Sequence, residues 1–122
     1  MTQLLYDPDW MIKKVQSECG MALTVAIRDL PNHMRDSVLR YIVHGDRVGD
    51  FLTAVLSNDL HQSAARADQD NLAALKQWAT LLHNLPILPG RLRSWGAVED
   101  VRAWQAAGGL LGLLKHGNEQ GG

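Results

Sequence analysis

The chain has 122 residues, 46% hydrophobic and 20% charged, the length and composition of one globular domain rather than of a disordered segment or a multidomain protein. Twelve Lys and Arg against thirteen Asp and Glu leave a net charge of −1, so no global positive field exists to hold nucleic acid, and a phosphate site would have to be local. No apolar run approaches the roughly 20 residues that cross a bilayer, and the acid-bearing start MTQLLYDPDW is unlike a secretory leader. The expectation is a protein of a cytoplasm without a membrane partner. Cys19 is the one cysteine, so no internal disulfide can form, and no Cys/His set has zinc spacing. Neither a metal nor a cofactor is expected.

Asp7-Pro8-Asp9 reads as a helix start, with Asp7 as N-cap and Pro8 in the first turn, where its missing N–H costs nothing. Met11, Val15, Cys19, Ala22, Ala26 and Leu30 then recur at helical spacing. Gly20 interrupts them, and Met21, Leu23, Val25 and Ile27 also alternate, so a short strand over 21–28 competes with the favoured helix. Leu30-Pro31 marks a break, after which Met34, Val38, Tyr41 and Ile42 predict a helix stopped by Gly45. Phe51, Leu52, Val55, Leu56, Leu60, Ala64 and Ala67 predict a core helix with a kink or restart at Asn58-Asp59.

Asp68 or Asp70 can cap a further helix that carries Leu72, Leu75, Trp78, Ala79 and Leu82 on one face. Pro86, Pro89 and Gly90 make 84–93 a loop, and Gly96 to Glu99 resembles a capping box for a helix holding Val98, Val101 and Trp104. Gly108-Gly109 should end it. The leucines of 110–114 then form either a last turn docked on the core or a contact for another subunit. The predicted fold is all-α, a compact single domain of five or six short helices with a possible N-terminal strand. Residues 1–30 form an N-terminal helical segment, 31–109 the helical core, and 110–122 an apolar turn with a fraying tail. The leucine patch on so small a core points to a homo-oligomer.

Chemistry-bearing patterns are sparse. Asp59, His61 and Asp68 could serve a metal-dependent enzyme acting on a nucleotide or nucleic acid, but their spacing matches no metal or paired-carboxylate motif. The serines Ser37, Ser57, Ser63 and Ser94 lack a nucleophile elbow, and Cys19 sits on an apolar helical face. No glycine pattern for dinucleotides or triphosphates is present. No catalytic residue is therefore assigned. Arginine outnumbers lysine eight to four, and its planar fork suits phosphate or carboxylate. Arg40, Arg47 and Arg66, with Tyr41 or Trp95 for stacking, are the candidate ligand-binding residues, and Trp95 is the aromatic expected to be exposed. Asn58, Asp59, Asp68 and Asn71 are a possible polar site, either cap or function.

The strings Tyr41-Ile-Val-His-Gly45, Gly49-Asp-Phe-Leu-Thr-Ala-Val-Leu-Ser-Asn-Asp-Leu60, Arg66-Ala-Asp68 with Asn71, and Trp95-Gly96 through Trp104 resemble a group of small bacteriophage and prophage proteins without assigned function. The resemblance spans about residues 30–109. Ala97 stands where that group commonly has a serine cap, and the first thirty residues lie outside the shared pattern. The resemblance implies a phage-derived origin and supplies no catalytic residues. The function expected from it is that of a non-enzymatic accessory protein countering host defence, by binding a defence protein or sequestering its anionic nucleotide messenger. A virion or regulatory interaction module is a further alternative, and nucleic acid is the least expected partner.

Overall fold

The computed structural model describes residues 5–86 and 93–114. Helix α1 (Pro8–Cys19) opens where the Asp7 carboxylate accepts a hydrogen bond from the Trp10 N–H at 3.0 Å, with Pro8 in the first turn. Gly20, at φ 95°, ends α1 and starts α2 (Met21–Arg28). This is the segment where alternation competed with helical spacing. Its Leu23, Thr24, Ala26 and Ile27 are buried while Val25 is 46% exposed, which is the burial of a helix and not of a strand.

Pro31 precedes α3 (Asn32–His44), which Gly45 closes in the left-handed conformation at φ 70°. Five further helices follow: α4 (Asp50–Leu56), α5 (Leu60–Arg66), α6 (Gln69–Ala73), α7 (Leu75–Asn84) and α8 (Val98–Ala107). A helical stretch over 109–114 completes the described chain.

The class is all-α, as expected, but the helices are more numerous and shorter than five or six. Each added break has a local cause. Asn58 adopts φ 60°, which asparagine tolerates better than most residues, and Asp59 then caps α5 by accepting from the Gln62 N–H at 3.0 Å. Asp68 caps α6 by accepting from the Asn71 N–H at 2.8 Å, and Ala74 leaves helical geometry between α6 and α7.

These breaks rotate the faces that an unbroken helix would present, and four core assignments change as a result. Leu60 is 74% exposed and Ala64 is exposed, because α5 turns Ser63 inward instead. Leu72 is 49% exposed and Ala79 is exposed, because Asn71, Trp78 and Leu81 take the inner positions. Val98 is likewise exposed, and the glycine cap expected at Gly96 is not formed. Ala97 occupies the N-cap without a side-chain bond, while the Gly96 N–H donates to the Leu56 carbonyl at 2.8 Å.

One cluster of buried side chains joins all parts of the chain: Met11 and Val15, Leu23 and Ile27, Val38 and Ile42, Leu52 and Leu56, Trp78 and Leu81, Trp104 and Leu110. Helix α1 packs on α2 and α3, α2 packs on α7, and α4 packs on α5 and α8. Phe51 meets Trp78 edge to face at 5.2 Å between ring centroids. Leu110 is 3% exposed and Leu111 and Leu113 are partly buried against the core, so the leucine patch docks within the chain. The tail 115–122 and Arg91 lie outside the described residues.

The tightest packing is between backbones. A Cβ on Gly109 would stand 2.5 Å from the Gly45 nitrogen and 2.8 Å from the Ile42 oxygen, and a Cβ on Gly45 would stand 2.7 Å from the Gly109 nitrogen. Beside this crossing the Trp104 indole N–H donates to the Tyr41 carbonyl at 2.9 Å. The end of α3 and the end of α8 are thereby locked together. At the same end of α3, Tyr6 stacks on His44 at 3.9 Å and donates to Asp46 Oδ1 at 3.3 Å, while His44 Nε2 donates to the Leu5 carbonyl at 2.7 Å.

Gly109→Ala combines overpacking with a positive φ of 65° and is expected to cost about 3 kcal/mol. Gly49→Ala, where the added methyl meets nothing within 4 Å, should cost about 1 kcal/mol or less. Urea denaturation of both variants checks this, and a Gly109→Ala protein as stable as the parent would contradict the packing.

Candidate functional site

The succession of short capped helices brings α3, α4, α5 and α6 around one cleft of about 290 Å³. Met34 and Ser37 come from α3, Asp50, Phe51 and Leu52 from the start of α4 after Gly49, Arg66 from the end of α5, and Asp68 and Asn71 from the cap and body of α6. Three of the residues singled out in the sequence, Arg66, Asp68 and Asn71, therefore meet here. Met34, Phe51 and Leu52 supply apolar wall, and Ser37 supplies a hydroxyl.

Arg66 Nη1 lies 3.1 Å from Asp50 Oδ2, an ion pair bridging α5 and α4 with both groups largely in solvent. Such an exposed pair adds little stability, but it fixes where the guanidinium sits. Asp68 has two partners, the Asn71 N–H at Oδ1 and His33 Nε2 2.9 Å from Oδ2. The Asn71 N–H above all, and then the His33 ring, hold its carboxyl below the usual carboxylate range.

Asn71 is 3% exposed, and its Oδ1 accepts from the Trp78 indole N–H at 3.3 Å. It is both a core residue and a lining residue. Its carboxamide joins the cleft to the aromatic pair Trp78 and Phe51.

The remaining predicted residues lie elsewhere. Arg40 pairs with Asp36 at 2.8 Å one turn away on α3 and lies over the Tyr6 ring, 5.4 Å from its centroid. Arg47 is exposed on the connector between α3 and α4. Tyr41 is 1% exposed and its hydroxyl donates to the Ser94 carbonyl at 2.6 Å, so the ring presents no face on which a ligand could stack. Burial, and secondarily the Asp100 carboxylate, push its phenol well up from the ordinary value. Trp95 is partly buried against the core rather than exposed, because Gly96 ties its loop to the end of α4.

Asn58 and Asp59 act as turn and cap, and they also rim a second, mainly apolar groove of about 220 Å³ formed by Val55, Leu60, Leu75, Trp78 and Leu82. Cys19 is partly buried, and burial raises its thiol to about 11, the behaviour of an unreactive packing residue. Among the described residues no group of three or more His, Cys, Asp or Glu side chains comes together, and Asp59, His61 and Asp68 do not converge as a metal site. Among those residues no helix is long and apolar enough to cross a membrane.

Sequence reasoning missed His33, Met34 and Ser37 as neighbours of this cleft. Met34 was readable only as an apolar stripe position and Ser37 only as a weak nucleophile. Nothing local in the sequence joins His33 to Asp68, which is 35 positions away. No family model matches the sequence, and no curated protein or solved structure matches it.

The lowered Asp68 carboxyl gives a signed pH dependence. Its ionised form contributes stability at and above the ordinary aspartate value of about 3.9, and that contribution is lost as pH falls through the lower folded value. Asp68→Asn keeps a capping side chain but cannot titrate. The melting-temperature gap between parent and variant is expected to shrink as pH falls below 4, and a gap independent of pH from 4 down to 2 would disprove the assignment.

Proposed function

We propose that the chain is a non-enzymatic binding protein that holds a small nucleotide-type ligand in the cleft between α3 and α6. In a phage or prophage accessory protein, the origin suggested by the Phe51 to Leu60 string, this activity sequesters a messenger of host defence. One observation carries the reading: Arg66, Asp68 and Asn71 meet at a cleft of nucleoside size whose wall is Met34, Phe51 and Leu52. The reading puts the ligand at α3 to α6 rather than at Arg40 and Arg47, the first of which already has Asp36 and Tyr6 as partners.

A second reading is favoured by Leu60, 74% exposed at the rim of the apolar groove. There a defence protein, rather than its messenger, would be the partner.

Titration calorimetry with a panel of nucleosides and nucleotides tests the first reading, together with native mass spectrometry of protein purified from bacteria. At least one member is expected to bind, and Met34→Trp, which fills the cleft from its half-buried edge, is expected to weaken that binding at least about tenfold. Absence of binding across the panel would remove the reading and shift weight to the groove at Leu60.

A further inference from the structure

The charges and donors lining the cleft discriminate between the parts of a nucleotide. Two carboxylates, Asp50 and Asp68, and one guanidinium, Arg66, line the cleft, so these three groups carry one excess negative charge. Arg66 is moreover engaged by Asp50 at 3.1 Å and by Gln62 Oε1 at 3.4 Å. A phosphate, which offers only acceptor oxygens and negative charge, is repelled by such a lining.

The unspent donor is of another kind. An indole N–H can only donate, so the Asn71 oxygen must face Trp78 and the Asn71 amide nitrogen must face away from it. Asn71 Nδ2 has no protein hydrogen-bond partner among the described residues, and it is not one of the fully buried unpartnered atoms, which are Ser57 Oγ and Gln77 Oε1, so it reaches the solvent. The residue lines the cleft, so this donor is open to an acceptor that enters there.

We propose that the cleft reads the edge of an uncharged nucleobase, with Asn71 Nδ2 donating to a ring nitrogen or carbonyl, and that any phosphate of the ligand stays outside. A base edge carries the complement of this lining. It offers an acceptor for the amide and, beside it, an N–H for a carboxylate, while its ring face suits the wall of Met34, Phe51 and Leu52. The Asp50 carboxylate keeps Oδ1 for such an N–H while Oδ2 holds Arg66. Trp78 acts as a positioning residue, because its indole fixes which end of the Asn71 amide the ligand meets. This inference rests on the small-ligand reading above and adds the recognition chemistry to it.

The test is calorimetry on the full chain at constant ionic strength, with adenosine, cytidine, guanosine and uridine and the 5′-monophosphate of each. At least one nucleoside is expected to bind, with its monophosphate equal to it within about threefold or weaker. In Asn71→Asp the oxygen toward Trp78 is retained and the donor becomes an acceptor, so affinity for that nucleoside is expected to fall about tenfold or more. Monophosphates bound about tenfold more tightly than their nucleosides would overturn base recognition and leave the ligand reading standing. If neither class binds, both fall. A folded Asn71→Asp protein that binds as the parent does would also overturn the role of the amide. The nucleoside-to-monophosphate comparison is made on the unsubstituted protein, so it decides the matter even where burying the new carboxylate unfolds the variant.

Discussion

The structure depends on the contact of Gly45 with Gly109. Small helices bury little area each, and a succession of such short helices holds one geometry only if some pair is fixed by more than side-chain contact. The ends of α3 and α8 meet backbone to backbone, with no room for a Cβ on either glycine, and the Trp104 N–H to Tyr41 carbonyl bond lies alongside. Both glycines have positive φ, which permits the approach; Gly45 closes α3, and Gly109 follows Gly108, the C-cap of α8. Gly112 belongs to the same turn, since a Cβ there would collide with the Ala107 carbonyl. Once α8 is seated, Leu110 enters the core, and the Gly96 N–H to Leu56 carbonyl bond ties the start of the α8 segment to the end of α4.

From that anchor the middle of the chain is laid out by caps. Asp59 and Asp68 each end a turn and begin a helix within ten residues, and the resulting corners swing Arg66, Asp68 and Asn71 back toward α3 and the start of α4. A single helix through 51–71 would have spread Phe51, Arg66, Asp68 and Asn71 along one axis at 1.5 Å per residue. Of the residues that look like function in a linear reading, Asn58 makes the turn at positive φ and Asp59 commits its carboxylate to the Gln62 N–H. Asp68 does both, because a carboxylate has lone pairs left after capping one N–H.

Element type and most breaks were legible in the sequence. Asp7-Pro8, Leu30-Pro31, Gly45 and Gly108 mark helix ends by local chemistry, and each does so in the structure. What was not legible was phase. A two-residue turn with Asn58 at positive φ resets the helical face, so the apolar pattern that continued through Leu60 and Ala64 points outward after the break. Leu72 and Ala79 fail for the same reason at Ala74, which carries no breaker signature. Of the ligand residues, the arginines were chosen by type alone, and type does not show that Arg40 has Asp36 four positions earlier as its partner. Tyr41 looked like an aromatic beside an arginine. The stripe of Met34, Val38, Tyr41 and Ile42 already put it on the core side of α3, and what comes only from the packing is a carbonyl acceptor 53 residues away.

The junction between core and cleft is Trp78. Its ring is 1% exposed and meets Phe51 edge to face, so it belongs to the core; its one polar atom points at Asn71, so it also orders the cleft. The Asn71 carboxamide is therefore a donor held at a fixed angle by a residue that cannot move without disturbing Phe51, the wall of the same cleft. Any ligand that accepts from it completes the network, and by mass action its binding adds to the stability of the fold that forms the site.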